Sequence, residues 1–83
     1  MEFYNQEEAE FLIQFYNELL IGTSIELQSN IPITGLEWEL YEGGNYRVIC
    51  RVNEHQGVTI IDDVAHVAQL HGLVSPQDVL ANR

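Results

Sequence analysis

The chain has 83 residues, of which 13 are acidic and 3 are basic, so its net charge at pH 7 is −10. A chain of this length hides only roughly 60–65% of the surface that its unfolded form exposes, so we expect a single domain over residues 1–83 with one thin core. Hydrophobic residues make up 46% of the composition, which excludes a disordered acidic tail, and the negative field excludes direct binding to nucleic acid or to an anionic membrane surface.

The first predicted element is an α-helix from about Gln6 to Ile21. Asn5 and Glu8 have the spacing of a capping box, and Gly22 supplies a left-handed stop. Apolar residues recur at helical spacing, which predicts a row that faces the core. This row comprises Ala9, Leu12, Ile13, Tyr16 and Leu20.

Two further stripes run along the same helix. A second apolar row lies beside the first and is available to pair with a second copy of the chain across a two-fold axis. This possible dimer interface comprises Tyr4, Phe11, Phe15 and Leu19. The opposite arc is a polar column that comprises Glu7, Glu10, Gln14 and Glu18.

The middle of the chain carries the strand signals. Ser24 to Gln28 alternates in polarity, which fits either a short extra strand or a continuing helical turn, and residues 29–35 are predicted to form a loop. Leu36, Trp38 and Leu40 then alternate with polar neighbours, which is typical of a half-buried strand. We expect these three residues to face the core beneath the helices.

Gly43-Gly44-Asn45 is predicted to be a three-residue turn that leads into a second strand, Tyr46 to Asn53. Residues opposite each other in a sheet share a face, so the register is set by the requirement that apolar residues meet. The opposing pairs in the register that we predict are Leu40 with Val48, Trp38 with Cys50, Glu37 with Arg51, and Tyr41 with Arg47.

The last third of the chain completes the sheet and adds helices. Residues 54–57 are predicted to form a turn and Val58 to Ile61 a third strand. Asp62-Asp63 caps a helix, and a serine cap begins a last helix from about Pro76 to Asn82. The first of these helices has one face made of Val64, Val67, Ala68 and His71. The predicted fold is therefore α+β, with an N-terminal helix, a three-stranded antiparallel meander and two C-terminal helices packed on one sheet face.

Residue types for catalysis and metal binding are sparse. The chain has no lysine, which excludes Schiff-base chemistry and a P-loop lysine. Cys50 is predicted to lie on the core side of its strand, where cysteine behaves as a small hydrophobic residue. Asp62 and His66 are four apart on a helix and could share an ion with His71 or His55, although His66 and His71 diverge around the helix. A metal-dependent or thiol-dependent enzyme is therefore the minor alternative, and no cofactor and no metal site are predicted.

Two segments resemble nucleic-acid-binding modules. The order of helix, three strands and helix is similar to that of the double-stranded RNA-binding domain, which grips phosphates with a lysine cluster at the start of its last helix. That position holds Asp62-Asp63, so the resemblance implies a shared outline and no RNA binding. Residues 68–79 resemble the helix-turn-helix pattern, but Asp78 and the single cation Arg83 do not supply the basic groups that phosphates require.

The N-terminal half of the chain is anionic throughout, since residues 1–46 contain nine glutamates and no lysine or arginine. Alternate strand residues such as Glu37 and Glu39 are about 6–7 Å apart, and neighbours in a helical column have Cβ atoms about 5–6 Å apart. Both spacings are of the order of that between successive phosphates on one nucleic-acid strand. Small size, an all-anionic half and spare aromatics are similar to the phage-encoded inhibitors of host defence, which include anti-CRISPR and anti-restriction proteins.

We therefore expect a non-enzymatic inhibitor that occupies a basic, nucleic-acid-binding surface of a larger protein. The residues expected to bind this partner are Glu7, Glu10, Glu18, Glu37, Glu39, Tyr41, Glu42 and Tyr46. The main alternative is a homodimeric adaptor whose acidity serves only solubility. No apolar run approaches the ~20 residues of a membrane span, the N-terminus lacks the basic region of a signal peptide, and we expect a cytoplasmic protein, in the host cytoplasm if it is phage-encoded.

Overall fold

The computed structural model describes residues 3–52 and 59–83, and within these ranges it contains three α-helices and one three-stranded antiparallel sheet. The elements in chain order are α1 (Gln6–Leu20), β1 (Ile33–Leu40), β2 (Tyr46–Val52), β3 (Ile61–Asp63), α2 (Val64–Leu70) and α3 (Pro76–Ala81). The strand order is β1-β2-β3, so β1 and β3 are the edge strands. The predicted α+β fold is confirmed.

Helix α1 begins at the predicted capping box. The backbone N–H of Glu8 donates to the side chain of Asn5 at 2.8 Å, and the backbone N–H of Asn5 donates to the carboxylate of Glu8 at 3.0 Å. The helix ends at Leu20, and Gly22 follows with φ +88°, the left-handed conformation that stops a helix. The predicted helix is therefore correct to within one residue at its end.

The core lies between the helices and one face of the sheet. Helix α1 contributes Ala9, Leu12, Tyr16 and Leu20, which are all fully buried, while Ile13 is only partly buried. The sheet contributes Val48, Cys50 and Val52 from the central strand β2, and the C-terminal helices contribute Val64, Val67, Ala68 and Val79. Full burial of one such aliphatic side chain stabilises the fold by about 1.5–3 kcal/mol, so this set supplies most of the driving force for folding.

The register of the β1-β2 hairpin differs by two residues from the predicted one. Apolar residues share a face as expected, but the observed pairs are Leu36 with Cys50, Trp38 with Val48, Leu40 with Tyr46, Glu37 with Ile49, and Glu39 with Arg47. The predicted pairs of Leu40 with Val48, Trp38 with Cys50, Glu37 with Arg51, and Tyr41 with Arg47 are therefore wrong. Ile49, expected on the exposed outer face, is buried.

The cause is the position of the turn along the chain. Five residues from Tyr41 to Asn45 join the strands, and they include a 3₁₀ turn over Glu42–Gly44. Gly43 and Gly44 both have left-handed backbones, with φ +78° and +75°, and the N–H of Tyr41 donates to the C=O of Asn45 at 2.8 Å. The Tyr41–Asn45 hydrogen bond encloses the three residues Glu42–Gly44, one position earlier than the predicted Gly43–Asn45, and moving the loop by one residue changes the register by two.

The helices do not cover β1 as expected. Leu36 is partly buried, but Trp38 is 39% exposed and Leu40 is 64% exposed. A helix is about 10 Å wide and strands are about 4.8 Å apart, so one helix covers about two strands. The helices bury the core face of β2, and the outer part of the edge strand β1 stays accessible.

The connecting segments differ in detail from the prediction. Ser24–Gln28 forms neither a strand nor a helical turn, because its only ladder-type contact among the described residues is a single bridge between Ser24 and Pro32. Strand β3 begins at Ile61, and the predicted turn over 54–57 together with Val58 lies outside the described residues. Asp63 alone is the N-cap of α2, where its carboxylate accepts the N–H of Ala65 at 2.9 Å.

Tyr16 links α1 to the segment that precedes α3. Its ring is fully buried, and its hydroxyl donates to the backbone carbonyl of Val74. Burial, with a smaller contribution from the charge of Asp78, raises the pKa of Tyr16 to about 12. A single buried hydroxyl thus joins two distant parts of the chain.

We expect Tyr16→Phe to lower the free energy of unfolding by about 1–2 kcal/mol, because it leaves the Val74 carbonyl without its donor. Urea denaturation followed by circular dichroism measures the change. Tyr41→Phe is the matched control, since the Tyr41 hydroxyl donates to an exposed carboxylate of Glu39. Equal effects of the two substitutions would contradict this role of Tyr16.

Candidate functional site

An open groove lies between α1 and the edge strand β1. Its volume is about 680 Å³. Three residues from each element line this groove, namely Glu10, Ile13 and Gln14 from α1 and Leu36, Glu37 and Trp38 from β1. The groove exists because α1 turns its buried row towards the core and its polar column towards the open side of β1.

Trp38 is the exposed aromatic residue of the groove. Its ring lies 5.3 Å from the ring of Tyr46, centroid to centroid, at an interplanar angle of 41°. Glu10 and Glu37 come from opposite walls. The Glu37 carboxylate is held by Arg51 at 2.8 Å, whereas Glu10 is exposed, so the groove offers an exposed indole and an acid from α1 to a guanidinium group, which stacks on aromatic faces and binds carboxylates through its planar donors.

A second depression continues the groove along α1. Glu10 and Gln14 line both, and the further lining residues are Glu7, Phe11 and Arg83. The guanidinium of Arg83 lies 3.3 Å from the carboxylate of Glu7 and 5.8 Å from the centroid of the Phe11 ring. Arg83 therefore shows within the chain itself how a cation is held at this surface.

The outer face of the sheet pairs acids with arginines. Arg51 contacts Glu37 at 2.8 Å, and Arg47 contacts Asp63 at 3.2 Å and Glu39 at 4.0 Å. Burial lowers the pKa of Arg47, but hydrogen bonds and charge from Tyr41 and Asp63 outweigh this effect and raise it above its ordinary value. Glu7, Glu37 and Glu39 thus have arginine partners from the C-terminal half of the chain, although residues 1–46 contain no lysine or arginine.

The structure divides the eight predicted partner-binding residues into groups. Glu7, Glu10 and Glu37 surround the groove, and Glu39 follows on the same strand. Tyr41 and Glu42 line a separate depression with Phe3 and Asn45, where the Phe3 and Tyr41 rings are 5.2 Å apart. Glu18 is exposed in the last turns of α1, and Tyr46 is half-buried against Trp38. These residues thus line separate depressions, and the Tyr41 hydroxyl, which donates to the Glu39 carboxylate at 2.8 Å, links the two groups.

Sequence reasoning missed Trp38 and Ile13 as site residues. Both carry apolar side chains in rows assigned to the core, yet both line the groove. A signal for Trp38 was present, because the first strand of a three-stranded meander is always an edge strand. The signal for Ile13 was weaker, since it depends on how far the helix lies over β1.

The predicted dimer stripe is only partly exposed. Tyr4 is buried in the core, where its backbone forms a bridge with Tyr46, so it does not belong to an exposed stripe. Phe11 is partly buried and lies near Arg83. Phe15 and Leu19 remain 38% and 44% exposed. Only the C-terminal half of the stripe is therefore available for a second copy of the chain.

The histidines near α2 have separate partners. A ring nitrogen of His66 lies 2.7 Å from the carboxylate of Asp62, and His71 Nε2 lies 2.6 Å from the carbonyl oxygen of Ser24. Residues 3–52 and 59–83 contain no group of three side chains that could hold a metal ion. His55, the remaining candidate ligand, lies outside these ranges.

Cys50 is fully buried in the centre of the sheet, as predicted. Burial, followed by the charges of Asp62 and Asp63, raises the pKa of the Cys50 thiol to about 12. The thiol is therefore protonated at neutral pH and out of contact with solvent. Neither condition suits a nucleophile, which has to be an accessible thiolate.

Comparison with protein-family models, curated proteins and solved structures finds no match, so functional inference depends on the geometry of the chain itself. None of the helices in the described part of the chain has the length and apolarity needed to span a membrane.

We expect the Cys50 thiol to react with a disulfide reagent such as DTNB only when the fold opens. The reaction should be slow in native buffer and fast in concentrated urea, because the side chain has no exposed surface. Absorbance of the released thiolate measures the rate, and Cys50→Ser supplies the background. A rate in native buffer close to that in urea would contradict the buried position.

The raised pKa values of Cys50 and Tyr16 also predict a loss of stability at high pH. Both groups hold their proton more tightly in the folded state, so their contribution is complete at neutral pH and is lost as pH rises from about 9 to about 12. Urea denaturation across this range should show a falling free energy of unfolding. Cys50→Ala combined with Tyr16→Phe should flatten the profile, and an unchanged slope would contradict the assignment.

Proposed function

We propose that this chain is an acidic protein-binding module that inhibits a larger protein by occupying its basic, nucleic-acid-binding surface. The observation that carries the proposal is the groove between α1 and β1, which the exposed residues Trp38 and Glu10 line and which continues along α1 to Glu7. Aromatic residues and well-placed charges dominate interface energies, and this groove offers both to an arginine or lysine of a partner.

The excess of negative charge supports a basic partner. The three arginines contact Glu7, Glu37, Glu39 and Asp63, and several other acids, including Glu10, Glu18 and Glu42, have no cationic partner among the described residues. The net charge is −10 in 83 residues. Such a field accelerates association with a positively charged surface and opposes association with an anionic one.

The spacing of the acids supports competition with nucleic acid. Glu37 and Glu39 are alternate residues of one strand, about 6–7 Å apart, and Glu7 and Glu10 are neighbours on one face of α1, with Cβ atoms about 5–6 Å apart. Groups that bind successive phosphates would meet carboxylates at similar intervals. The partner's nucleic acid and this chain would then exclude each other.

The particular form that we propose is an inhibitor of a host-defence nucleoprotein of the anti-CRISPR or anti-restriction type, which acts in the cytoplasm of a phage-infected host. Small size, an acidic N-terminal half and exposed aromatic residues support this form. A homodimeric adaptor is the second candidate, supported by the exposure of Phe15 and Leu19 on one face of α1.

The affinity of the chain for its basic partner should fall steeply as the salt concentration rises. It should also depend on the charge of Glu10. The immobilised chain is used to retain proteins from a host lysate, and each retained protein is loaded with a labelled oligonucleotide. Fluorescence anisotropy then measures whether the chain displaces the oligonucleotide from that protein. We expect displacement whose apparent affinity falls more than tenfold between about 0.1 M and about 1 M salt, because the Debye length shrinks from about 10 Å to about 3 Å.

Glu10→Gln and Glu26→Gln form a matched pair, since each removes one charge from an exposed glutamate and only Glu10 lines the groove. Glu10→Gln should weaken displacement several-fold and Glu26→Gln should not. Three results would contradict the proposal: no retained protein loses its nucleic acid, displacement is indifferent to salt, or the two variants behave alike. A dimer in sedimentation that Phe15→Glu dissociates would instead favour the adaptor.

A further inference from the structure

The backbone contact between Tyr4 and Tyr46 shows which N–H and C=O groups of β1 point away from β2. Tyr4 lies on the side of β2 that is opposite β1. Tyr4 and Tyr46 exchange two backbone hydrogen bonds, N–H of Tyr4 to C=O of Tyr46 at 2.8 Å and N–H of Tyr46 to C=O of Tyr4 at 2.7 Å. The backbone groups of Tyr46 therefore point away from β1. Along a strand of an antiparallel pair, residues whose N–H and C=O groups point away from the neighbouring strand alternate with residues whose groups form hydrogen bonds with it. Leu40, which lies opposite Tyr46, thus belongs to a non-hydrogen-bonded pair.

The same alternation applies along the strand. Trp38 lies opposite Val48 and Leu36 opposite Cys50, which are also non-hydrogen-bonded pairs, while Glu37 and Glu39 bond to β2. The N–H and C=O groups of Leu36, Trp38 and Leu40 consequently point outward from the edge of the sheet. No described residue forms a backbone hydrogen bond with these six groups.

Within residues 3–52 and 59–83, backbone contacts from other segments cover the edge only at its start. The N–H of Ile33 donates to the C=O of Thr23 at 2.7 Å, and the N–H of Gly22 donates to the C=O of Ile33 at 2.9 Å. A register shift between Ile33 and Gly35 then changes which residues point outward. Beyond this shift, the edge runs along the groove that contains Trp38.

We propose that the edge of β1 from Leu36 to Leu40 accepts an extended segment of the basic partner as a fourth strand of the sheet. The inference rests on the proposed function and adds the conformation of the partner and the pattern of its residues. Open strand edges pair readily with an added strand, and backbone hydrogen bonds supply the affinity of such complexes. The five-residue edge is about 17 Å long at 3.4 Å per residue.

The two faces of β1 determine the pattern of the segment. On the helix side, an added strand meets Leu36, Trp38 and the groove wall at Ile13. On the outer side, it meets Glu37 and Glu39, whose side chains are more than a third exposed. Side chains alternate between the two faces of a strand. The segment that fits therefore has apolar or aromatic residues at every second position and arginine or lysine at the positions between them.

Charge opposes a second copy of this chain as the occupant. A two-fold pairing of β1 edges centred on Trp38 would place Glu37 of one copy opposite Glu39 of the other, and like charges directly opposite are destabilising. Each copy would also bring a net charge of −10 to the contact. A basic segment has the complementary charge, so it is the occupant that the surface favours.

The test uses the full chain and a synthetic peptide of alternating valine and arginine with blocked ends. Binding is followed by the fluorescence of Trp38, the single tryptophan of the chain, and by amide hydrogen exchange in NMR spectra. In the free chain the amide protons of Leu36, Trp38 and Leu40 should exchange fast and those of Glu37 and Glu39 slowly. Saturating peptide should protect the first three at least tenfold.

Two matched pairs isolate the backbone contribution. Leu40→Ala keeps the outward N–H and Leu40→Pro removes it without removing a bond to β2, so Leu40→Pro should bind about tenfold more weakly than Leu40→Ala. A peptide of the same sequence with N-methylated amides at alternate residues should also bind about tenfold more weakly than the unmodified peptide. An alternating valine and glutamate peptide should not bind.

The proposal is overturned if the Trp38 amide stays unprotected at saturation or if the N-methylated peptide binds as tightly as its parent. A dimer that Leu40→Pro dissociates would also overturn it, in favour of self-pairing. If Leu40→Pro and Leu40→Ala displace the partner's nucleic acid equally, the edge proposal fails and the proposed function stands. If the peptide docks at the edge but no nucleic acid is displaced from the partner, the edge proposal stands and the proposed function fails.

Discussion

The packing of α1 against the central strand β2 is the constraint on which the other features depend. Ala9, Leu12, Tyr16 and Leu20 bury one stripe of the helix against the face that carries Val48, Cys50 and Val52. A single helix is wide enough to cover about two strands, so it cannot cover the whole three-stranded sheet. The strand order leaves β1 at the edge of the sheet, and the position of α1 over the core face then leaves Trp38 exposed with the acids of α1 beside the groove.

The electrostatics follow from where the three arginines lie. Arg47 and Arg51 are on the outer face of the sheet, and Arg83 reaches the start of α1. The exposed pairs of Arg51 with Glu37 and of Arg83 with Glu7 contribute little to stability, typically about 0–1 kcal/mol each, whereas the Arg47–Asp63 pair is largely buried. The groove side, with Glu10 and Trp38, keeps its negative charge. The charge that a partner meets is thus a local property of the groove, whereas the sequence indicated an even distribution over the N-terminal half.

Local sequence signals predicted the elements well. The capping box of Asn5 and Glu8, the left-handed Gly22 and the alternation through Leu36 to Leu40 are each determined by short-range chemistry, and each is observed. The hairpin register was not predictable in the same way, because it depends on the conformations of Gly43 and Gly44 within a five-residue turn. The exposure of Trp38 depends on tertiary packing, which hydrophobic alternation alone does not specify. The assignment of Tyr4 to a surface stripe failed for the same reason, since helical periodicity was extended to a residue that bridges to β2.

The most direct test of the central claim, that Trp38 is an accessible ring in a negative environment, is quenching of its fluorescence by ions of opposite charge. Caesium and iodide are compared on the free chain at low salt, each relative to its effect on a free tryptophan amide. The structure predicts efficient quenching by caesium and weak quenching by iodide, because the indole is exposed in a groove that Glu10 also lines and the chain carries a net charge of −10. Equal relative quenching by both ions, or resistance to both, would contradict an acidic groove at the edge of the sheet.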